Sequence, residues 1–510
     1  MRAWHARIGH EEGEVADSGS ATARPRVPTE PTTALPADTR VPAGLDDLAA
    51  AVTTAWPDTI RDLVDLARIP SISLAGHDPA QVRASAEATA DLLRGAGLER
   101  VELLELDGAH PAVTGEWLHA GDDAVTVLLY AHHDVQPVGT PARWTSDPFE
   151  PVERDGRLYG RGTADDKAGI LAHVAAIRAW LDTRGSLPVN VKVVIEGEEE
   201  IGSPNLAAFL DEYGARLDAD VIVLADLMNF KVGWPGLTWS LRGLLDGTVT
   251  VRTMRQPVHS GMWGGVVPDA LTGMARLLAS LHDHHGRIAV DGFGDDARPV
   301  SDDERARIEA LDMDADEIRT DARTVDGIEF VGDPDTHLLE RLWLQPTITP
   351  TGMDVPNVEN AANTLLSEVT TKLSCRLAPG MDPTRAAAAL ERHLLANAPF
   401  GAEVIWELGE TAPAWVMDPS GPAWDAAVAA FGDAYGHDVA SLGTGGTIPF
   451  VGPFAEAMGG AACLLIGVED PATNAHGEDE SLHLEDFLKA CLSEVFLFAA
   501  LAADADAVRR

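Results

Sequence analysis

One short stretch, residues 125–137, constrains the fold of this chain more than any other. Its first seven residues contain one polar side chain, that of Thr126, which is typical of a strand buried on both faces of a sheet. The stretch continues with His132, His133 and Asp134, and open α/β sheets place their chemistry at the carboxyl ends of strands. His132 and Asp134 leave an extended chain on the same side, as a metal ligand and its orienting carboxylate do. Taken alone, the stretch is explained equally well as a polar turn after a strand.

Two further apolar segments end in carboxylates. Residues 189–196 lead into Glu199 and Glu200, and residues 219–226 end at Asp226. Helical patterns separate these segments, and strands that alternate with helices predict a mostly parallel, doubly wound α/β sheet. Because parallel strands end at the same sheet edge, we expect these side chains to lie close together.

A glycine-containing segment after the first strand supplies two more carboxylates. Gly160 and Gly162 allow tight turns, and Asp165 and Asp166 stand immediately before a helix predicted to begin at Lys167. Carboxylates are favoured at helix N-termini, so plain capping is the alternative explanation for this motif alone.

The length of 510 residues predicts more than one domain. Beyond residue 242 the pattern changes, because Glu368–Leu377 alternates between polar and apolar residues as an antiparallel strand does. The parallel-sheet pattern returns after residue 413, which indicates an inserted α+β domain. The predicted division is a disordered tail at 1–42, a catalytic α/β domain at 43–242 and 414–510, and the inserted domain at 243–413.

The composition argues against several classes of partner. A formal net charge of −43 disfavours nucleic acid and anionic membranes, because both require a basic protein surface. No apolar run approaches the ~20 residues that span a bilayer, and the N-terminus carries no apolar signal segment. Cys375, Cys463 and Cys491 are far apart and lack metal-site spacing, so we expect free thiols in a cytoplasmic protein.

Two imidazoles and three carboxylates have the chemistry of a metal site. They are His132, Asp165, Glu200, Asp226 and His476. This set suffices for two divalent ions about 3.5–4 Å apart if Asp165 bridges them, and such a pair polarises a carbonyl group and lowers the pKa of water. Hydrolysis also needs a base, which Glu199 can supply, and Asp134 can fix the tautomer of His132. His476 alone is more typical of a solvated loop residue, and only the ordered set favours a metal site.

The chain resembles the co-catalytic zinc peptidases that include carnosinase and cytosolic non-specific dipeptidase, carboxypeptidase G, acetylornithine deacetylase and succinyl-diaminopimelate desuccinylase. The resemblance extends from residue 45 to the C-terminus and rests on motifs that are specific in combination. These are His132-His-Asp-Val-Gln-Pro, Gly160-Arg-Gly-Thr-Ala-Asp-Asp-Lys, Glu196-Gly-Glu-Glu-Glu-Ile-Gly-Ser, Asp226, His259-Ser-Gly and Ala475-His476. The resemblance implies one metal site formed by His132, Asp165 and Asp226. It implies a second formed by Asp165, Glu200 and His476, with zinc as the metal and manganese or cobalt as alternatives.

The same resemblance assigns the substrate site. Glu199 is the implied general base, and Arg376 is the implied partner of a substrate carboxylate, as a bidentate guanidinium can be. The inserted domain resembles a lid that also forms a homodimer, from which His259 reaches a substrate carbonyl oxygen, often across the dimer. In the substrate loop, Gly443-Thr-Gly-Gly-Thr replaces the Arg-Glu-Gly-Gly-Ser of the cytosolic dipeptidases. The substrate-binding residues implied there are Gly445, Gly446 and Thr447.

Two features favour the dipeptidase branch of this family. They are the Val-Gln-Pro after Asp134 and the aspartate at position 226, where the deacylases tend to carry glutamate. We therefore predict hydrolysis of an amide bond in dipeptides or small peptides. The alternative is a deacylase of N-acyl amino acids, which a substrate panel separates. A third hypothesis, a non-catalytic binding protein, is disfavoured by the intact ligands and base.

Overall fold

The computed structural model of the chain describes residues 34–448 and 451–509. Up to residue 241 the chain contains strands interspersed with helices. These elements are α1 (Asp46–Ala67), α2 (Pro79–Gly95), β1 (Glu99–Leu104), β2 (Ala112–Trp117), β3 (Thr126–His132), β4 (Val152–Arg154), β5 (Arg157–Tyr159), α3 (Lys167–Arg184), β6 (Asn190–Glu196), α4 (Leu206–Leu217), β7 (Val221–Met228) and β8 (Gly236–Leu241).

The middle of the chain contains long antiparallel strands and several short helices. Its elements are β9 (Gly243–Arg252), β10 (Val258–His259), α5 (Ser260–Trp263), α6 (Ala270–Ala279), α7 (Asp302–Glu309), α8 (Ala315–Asp321), α9 (Leu338–Leu344), β11 (Thr347–Met353), β12 (Thr364–Leu365), β13 (Glu368–Leu377), α10 (Pro383–Ala396) and β14 (Glu403–Ala412). The last part contains β15 (Trp415–Val416), α11 (Pro422–Tyr435), β16 (Ala440–Thr444), α12 (Val451–Ala457), β17 (Ala462–Glu469), β18 (Ser481–His483), α13 (Leu484–Ala503) and α14 (Ala505–Val508).

A nine-stranded sheet carries the candidate site. Its strands lie in the order β1-β2-β6-β3-β7-β17-β8-β15, with β16 beside β8. The four neighbouring strands β6, β3, β7 and β17 are parallel, and antiparallel strands flank them on both sides. This sheet confirms the predicted α/β class with a mostly parallel centre.

Strand β3 is buried on both faces, as its apolar sequence predicts. Val127, Leu129 and Ala131 pack into the core formed with helices α1, α3 and α13. Leu128 and Tyr130 point to the opposite face and pack with side chains of α4 and α12. Each large apolar side chain buried in this way stabilises the fold by about 1.5–3 kcal/mol.

A separate four-stranded antiparallel sheet, β11-β13-β9-β14, forms the predicted inserted α+β part. Along β9 buried residues alternate with half-buried ones, and helices α6 and α10 contribute to its core. Part of the inserted segment packs elsewhere: Ile308, Leu339 and Trp343 join the core of the large sheet. Their helices, α7 and α9, are short and bury their apolar side chains against the larger domain.

The sequence of residues 441–449, which contains three glycines, predicts a loop, but its first part is strand β16. The sequence pattern hides this strand because Gly443 is required by close packing. A Cβ at Gly443 would lie 2.8 Å from Ser240 Oγ and 2.8 Å from Trp343 Cβ. Pro449, the last residue of the predicted loop, lies outside the described residues.

Helix α6 is shorter than the pattern over residues 268–284 predicts, because it ends at Ala279. The Ser280 hydroxyl donates to the carbonyl of Leu277 at 2.7 Å, and side-chain bonds of this kind compete with the helical backbone. A turn at Gly286, whose φ is +78°, follows.

The described part of the predicted tail, residues 34–42, contacts the folded chain. The Thr39 hydroxyl donates to the carbonyl of Ala434 at 2.8 Å, and Lys489 Nζ donates to Asp38 at 2.9 Å. Residues 1–33, the rest of the predicted tail, lie outside the described residues. Within the described ranges, no helix has both the length and the apolar character needed to cross a bilayer.

Candidate metal centre

The candidate centre lies at the carboxyl ends of neighbouring parallel strands. His132 is the last residue of β3, Asp226 lies near the end of β7, and Glu199 and Glu200 lie in a 3-10 turn after β6. Strands β6, β3 and β7 are adjacent in this order, so these side chains meet at one sheet edge. His476 reaches the same edge from the loop after β17.

Asp165, which precedes helix α3, stands between two groups of potential ligands. Its Oδ1 lies 3.1 Å from His132 Nε2, and its Oδ2 lies 3.0 Å from His476 Nε2. Asp226 completes the first group, with its Oδ1 at 3.6 Å from His132 Nε2. Glu200 completes the second, with its Oε2 at 3.3 Å from His476 Nε2. Within each group the candidate ligand atoms all lie within 4.8 Å of one another.

This donor set fits two divalent cations. Imidazole nitrogen and carboxylate oxygen are ligands of zinc and of similar ions. His132 Nε2 is buried and has no hydrogen-bond partner among the described residues, and an ion between the ligands would satisfy it. One oxygen of Asp165 faces each group, which is the arrangement of a bridging carboxylate. That these groups hold metal ions stays a prediction.

The charges of the cluster favour cation binding. Hydrogen bonds with Asp165 and Glu200 raise the pKa of His476 to about 11. Burial raises the pKa of Asp165, but its close contacts with the imidazoles of His132 and His476 outweigh it and hold that pKa well below its ordinary value. Burial and the charge of Asp165 raise the pKa of Glu200 to about 7. His476 and Glu200 therefore hold protons tightly, and metal ions compete with those protons for the same ligand atoms.

Asp134 contacts His132 mainly through its backbone. His132 Nδ1 lies 3.1 Å from the carbonyl oxygen of Asp134 and 3.5 Å from its Oδ1. The carboxylate accepts hydrogen bonds from Ser73 Oγ at 2.7 Å and from the backbone N of Glu200 at 3.1 Å. The nearer acceptor for the imidazole is thus the carbonyl, whereas the carboxylate links β3 to the turn that carries Glu200.

Asp166 and Gly169 support the other side of His132. The backbone N of His132 donates to Asp166 Oδ2 at 3.1 Å. A Cβ at Gly169 would lie 2.2 Å from Asp166 Oδ1 and 2.6 Å from the carbonyl oxygen of Ala225, so only glycine fits. The first turn of α3 therefore packs closely against the ends of β3 and β7.

Glu199 lies beside the first group without belonging to either. Its Oε2 is 4.0 Å from His132 Nε2. Burial raises the pKa of Glu199 well above its ordinary value, and the charges of Asp226, Glu200 and Asp165 add to this effect. A carboxylate with a raised pKa next to the ligands has the properties of a general base.

The structure brings together most of the predicted substrate residues. Arg376 Nη1 donates to Thr447 Oγ1 at 2.8 Å, and Thr447 Oγ1 donates to the carbonyl of Arg242 at 2.5 Å. Arg242 Nε donates to the carbonyl of Gly445 at 3.2 Å, and Gly446 follows in the same loop. Because Arg376 lies on β13 and the loop follows β16, this cluster joins the two sheets.

His259 stands apart from the centre. It is exposed, and its Nδ1 accepts a hydrogen bond from the backbone N of Gly261 at 3.0 Å. In the part of the chain that the structure describes, no contact joins His259 to a candidate metal ligand.

Several residues around the centre were not found from the sequence. Arg161 and Glu480 form a buried ion pair, and Glu469 is a buried carboxylate at the end of β17. Arg161 was visible within the Gly-Arg-Gly motif, whereas Glu480 lies in an acidic stretch that gives no local signal. Gln136 donates to Glu200 Oε2 at 2.8 Å, and its place in the Val-Gln-Pro motif was the available signal.

Comparisons with known proteins identify the family of this chain. A family model described as Peptidase family M20/M25/M40 matches residues 128–496. The chain is 36% identical over 374 residues to a cysteinylglycine-S-conjugate dipeptidase of Corynebacterium striatum, and the match covers 73% of this chain and 80% of that protein. It is 29% identical over 371 residues to a human Beta-Ala-His dipeptidase, with coverage of 71% and 72%.

Solved structures show the same architecture. The crystal structure of human carnosine dipeptidase 1 matches with a TM-score of 0.81 and 26% identity, covering 91% of this chain and 99% of that chain. A di-peptidase from Saccharomyces cerevisiae matches with a TM-score of 0.81 at 23% identity, covering 90% and 99%, and shows the shared fold. The family model spans most of the chain and the site residues lie on the matched fold. The chain therefore belongs to Peptidase family M20/M25/M40.

Proposed function

We propose that the chain is a dinuclear metallopeptidase that hydrolyses the amide bond of dipeptides or small peptides. The observation that carries this proposal is the position of Asp165, whose two oxygens face two separate ligand groups. Relatives that cover most of the chain are named as dipeptidases of cysteinylglycine S-conjugates and of Beta-Ala-His, and this supports dipeptides as substrates.

His132, Asp165 and Asp226 would hold one ion, and Asp165, Glu200 and His476 the other. When bound, two such ions supply Lewis-acid chemistry, which polarises a peptide carbonyl and lowers the pKa of water. The mixed imidazole and carboxylate set suits zinc, with manganese or cobalt as alternatives.

Glu199 takes a proton from the attacking water and delivers it to the nitrogen of the leaving group. Its Oε2 lies 4.0 Å from His132 Nε2, beside the first ligand group and outside it, so the carboxylate can reach a water molecule that approaches those ligands. The raised pKa of Glu199 suits this exchange, because a base must also release the proton as an acid.

Arg376 holds the carboxylate at the far end of the substrate, with Gly445, Gly446 and Thr447 beside it. Burial lowers the pKa of Arg376, and burial and the charge of Arg376 lower that of Arg242 to about 10. Two guanidinium groups so close together, with no ion pair to either among the described residues, favour an anion between or beside them. A free carboxylate is the anion that a dipeptide carries.

Residues 243–413 act as lid and dimerisation domain over a catalytic domain of residues 43–242 and 414–510. His259 then reaches the substrate carbonyl oxygen of the partner subunit's site, which accords with its exposure here. Large apolar side chains that follow it closely in the chain are exposed, namely Met262 at 76%, Trp263 at 50% and Val266 at 87%. Such a patch is typical of a protein interface. The three buried free cysteines suit the reducing cytoplasm.

A substrate panel tests this function. Apo-enzyme is reconstituted with zinc, manganese or cobalt and is assayed on dipeptides and on N-acetyl and N-succinyl amino acids. We expect turnover of dipeptides; turnover of N-acyl amino acids alone would establish the deacylase alternative. Glu199→Gln should retain two ions and lose about 10²–10⁴-fold in kcat. Turnover at the wild-type rate in Glu199→Gln would instead remove Glu199 as the base.

A further inference from the structure

One buried carboxylate at the centre has no task in the mechanism above. Glu469 ends strand β17, and its side chain is buried, with 7% of the residue exposed. The backbone N of Asn229 donates to the Glu469 carbonyl at 2.8 Å, which fixes this residue beside the end of β7, three positions beyond Asp226. His476 follows seven residues later in the loop that β17 feeds. Glu469 therefore lies between the end of β7, which carries Asp226 of the first group, and the loop that carries His476 of the second group.

One oxygen of the Glu469 carboxylate lacks a partner. This atom, Oε1, is buried, and no described residue donates a hydrogen bond to it. Asp134 Oδ1 and Asp166 Oδ1 are unpaired as well, but Asp134 accepts a hydrogen bond from Ser73 Oγ and Asp166 accepts one from the backbone N of His132 through their second oxygens. No described residue donates a hydrogen bond to the second oxygen of Glu469 in this way. An unpaired buried carboxylate is costly, so a partner supplied from outside the chain would stabilise it.

The surroundings of Glu469 are acidic. Burial and the charges of Asp165, Asp226 and Glu480 raise the pKa of its carboxylate well above the ordinary value, and the charge of His476 acts in the opposite direction. Glu480 is balanced by Arg161. Asp165, Glu200, Asp226 and Glu199 carry four negative charges, which two divalent ions would balance. The buried carboxylates of Asp134 and Asp166 are stabilised instead by hydrogen bonds from Ser73 Oγ and from the backbone N of Glu200 and His132. The charge of Glu469 is then left without a counterpart, and a cation of single charge would balance it.

A dipeptide carries such a cation next to its scissile bond. Its α-ammonium group is separated from the carbonyl carbon by one carbon atom, so a peptide whose carbonyl lies at the metal centre places its ammonium within a few ångströms of it. The guanidinium groups of Arg242 and Arg376 offer the opposite charge for the other end of the substrate. We propose that the Glu469 carboxylate binds the α-ammonium group of the substrate and so selects dipeptides over N-acyl amino acids. This inference rests on the proposed peptidase function.

The test compares the best dipeptide of the panel with its des-amino analogue, in which hydrogen replaces the ammonium group. Both are assayed with metal-loaded wild type and with metal-loaded Glu469→Gln, which keeps the size of the side chain and removes its charge. The wild type should prefer the dipeptide in kcat/KM by about 100-fold, and Glu469→Gln should lose about 100-fold on the dipeptide alone. Glu469→Asp, which keeps the charge on a shorter side chain, should restore part of the preference.

The pH profile gives a readout that a structural role would not move. The ammonium of a peptide loses its proton at about pH 8, so kcat/KM of the wild type for the dipeptide should fall above that pH. In Glu469→Gln this fall should disappear, and for the des-amino analogue it should be absent in both proteins. Glu456→Gln is the matched control, because Glu456 is an exposed carboxylate on α12 and should behave as wild type.

Several outcomes would overturn the inference. Equal losses on both substrates, or a metal content below that of the wild type, would show that Glu469 supports the centre instead. An unchanged preference in Glu469→Gln would show that another group binds the ammonium. A wild type that cleaves N-acyl amino acids and no dipeptide would contradict the proposed function itself, and that result is read from the wild type alone.

Discussion

Arg161 and Glu480 form an ion pair whose side chains are 1% and 0% exposed, although 319 residues separate them in the sequence. Arg161 Nη2 also donates to the carbonyl of Gly477 at 3.1 Å, directly after His476. Glu480 Oε1 accepts a hydrogen bond from the backbone N of Asp165 at 3.3 Å. The pair therefore connects the segment of Asp165, the candidate bridging ligand, to the loop that carries His476.

Removing one member of this pair should destabilise the protein strongly. Arg161→Met leaves the Glu480 carboxylate buried without its counter-charge, which costs about 3–5 kcal/mol in the free energy of unfolding. It also frees the His476 loop, so affinity for the second ion should fall about 10–100-fold. Urea denaturation and zinc titration measure the two effects.

Arg94→Met is the control for this experiment. Arg94 and Asp91 form an ion pair at 2.8 Å, but their side chains are 51% and 80% exposed. Its loss should change the free energy of unfolding by no more than about 1 kcal/mol. If Arg161→Met lowered the free energy of unfolding as little as Arg94→Met does, the buried ion pair would not hold the two loops together.

Single substitutions of the ligands should remove the two ions separately. Asp226→Asn weakens only the first group and His476→Ala only the second, so each should retain one tightly bound ion per chain. Asp165→Asn weakens both groups, because each of its oxygens faces one of them. Metal content after dialysis, measured by mass spectrometry, should therefore fall by one ion per chain in Asp226→Asn and in His476→Ala. It should fall by two ions per chain in Asp165→Asn.

His119→Ala is a suitable comparison, since His119 is an exposed imidazole that lies 3.0 Å from Glu99 and belongs to neither group of candidate ligands. It should keep both ions. A full complement of tightly bound ions in His476→Ala would contradict the second site, whereas loss of both ions in that variant would show that the two sites fill only together.

The sequence alone predicts an element correctly where the local pattern of polar and apolar residues determines the structure. The apolar run of β3 and its polar ending predict both a doubly buried strand and a ligand at its end. Strand β16 was missed because Gly443 is required by its contact with Trp343, a residue about a hundred positions away in the chain. A glycine chosen for tertiary packing has the same appearance in sequence as a glycine in a loop.

The candidate ligands could be named from the sequence because each stands in a motif. Their separations could not, since the distance from Asp165 to His476 depends on how two remote loops pack. No sequence pattern marks Glu480 or Glu469 as part of the site. Glu480 lies in an acidic loop, and Glu469 is a polar residue at the end of an apolar strand, which is common. Their importance follows from burial and from their partners, which only the fold defines.

Glu304 predicts a pH-dependent contribution to stability outside the metal centre. It completes a capping box with Ser301 at the start of α7, and its carboxylate accepts hydrogen bonds from Arg298 Nη1 at 3.0 Å and Nη2 at 2.6 Å. Burial raises the pKa of Glu304, but the bonds from Arg298 and Ser301 outweigh it and lower the pKa to about 2. Since the folded pKa lies below the unfolded value of about 4.3, the contribution is complete above about pH 5 and is lost as pH falls toward about 2.

Glu304→Gln should therefore lower the free energy of unfolding at pH 7 by about 1–2 kcal/mol, after allowance for the solvent around Arg298. The difference from wild type should shrink as the pH is lowered through 4 and 3. Urea denaturation at these pH values measures it, with Glu309→Gln at the exposed end of the same helix as control. If the difference in the free energy of unfolding stayed constant with pH, the effect would come from the shape of the side chain at position 304 and not from its charge.

Mixed dimers test whether His259 acts on the partner subunit's site. His259→Ala and Glu199→Gln should each be nearly inactive alone. In a dimer of one chain of each kind, one site combines the intact base of its own subunit with the intact histidine of its partner, and the other site lacks both. Random pairing makes half of the dimers mixed, so equal coexpression should restore about a quarter of wild-type activity.

Coexpression of Glu199→Gln with Asp165→Asn is the matched control, because both residues belong to the same subunit's centre and every site in the mixed dimer stays defective. No restoration is expected there. If coexpression with His259→Ala also restored nothing, although the two chains copurified as a dimer, His259 would act within its own subunit. The exposed position of His259, with no contact to the ligands of its own chain among the described residues, favours the first outcome.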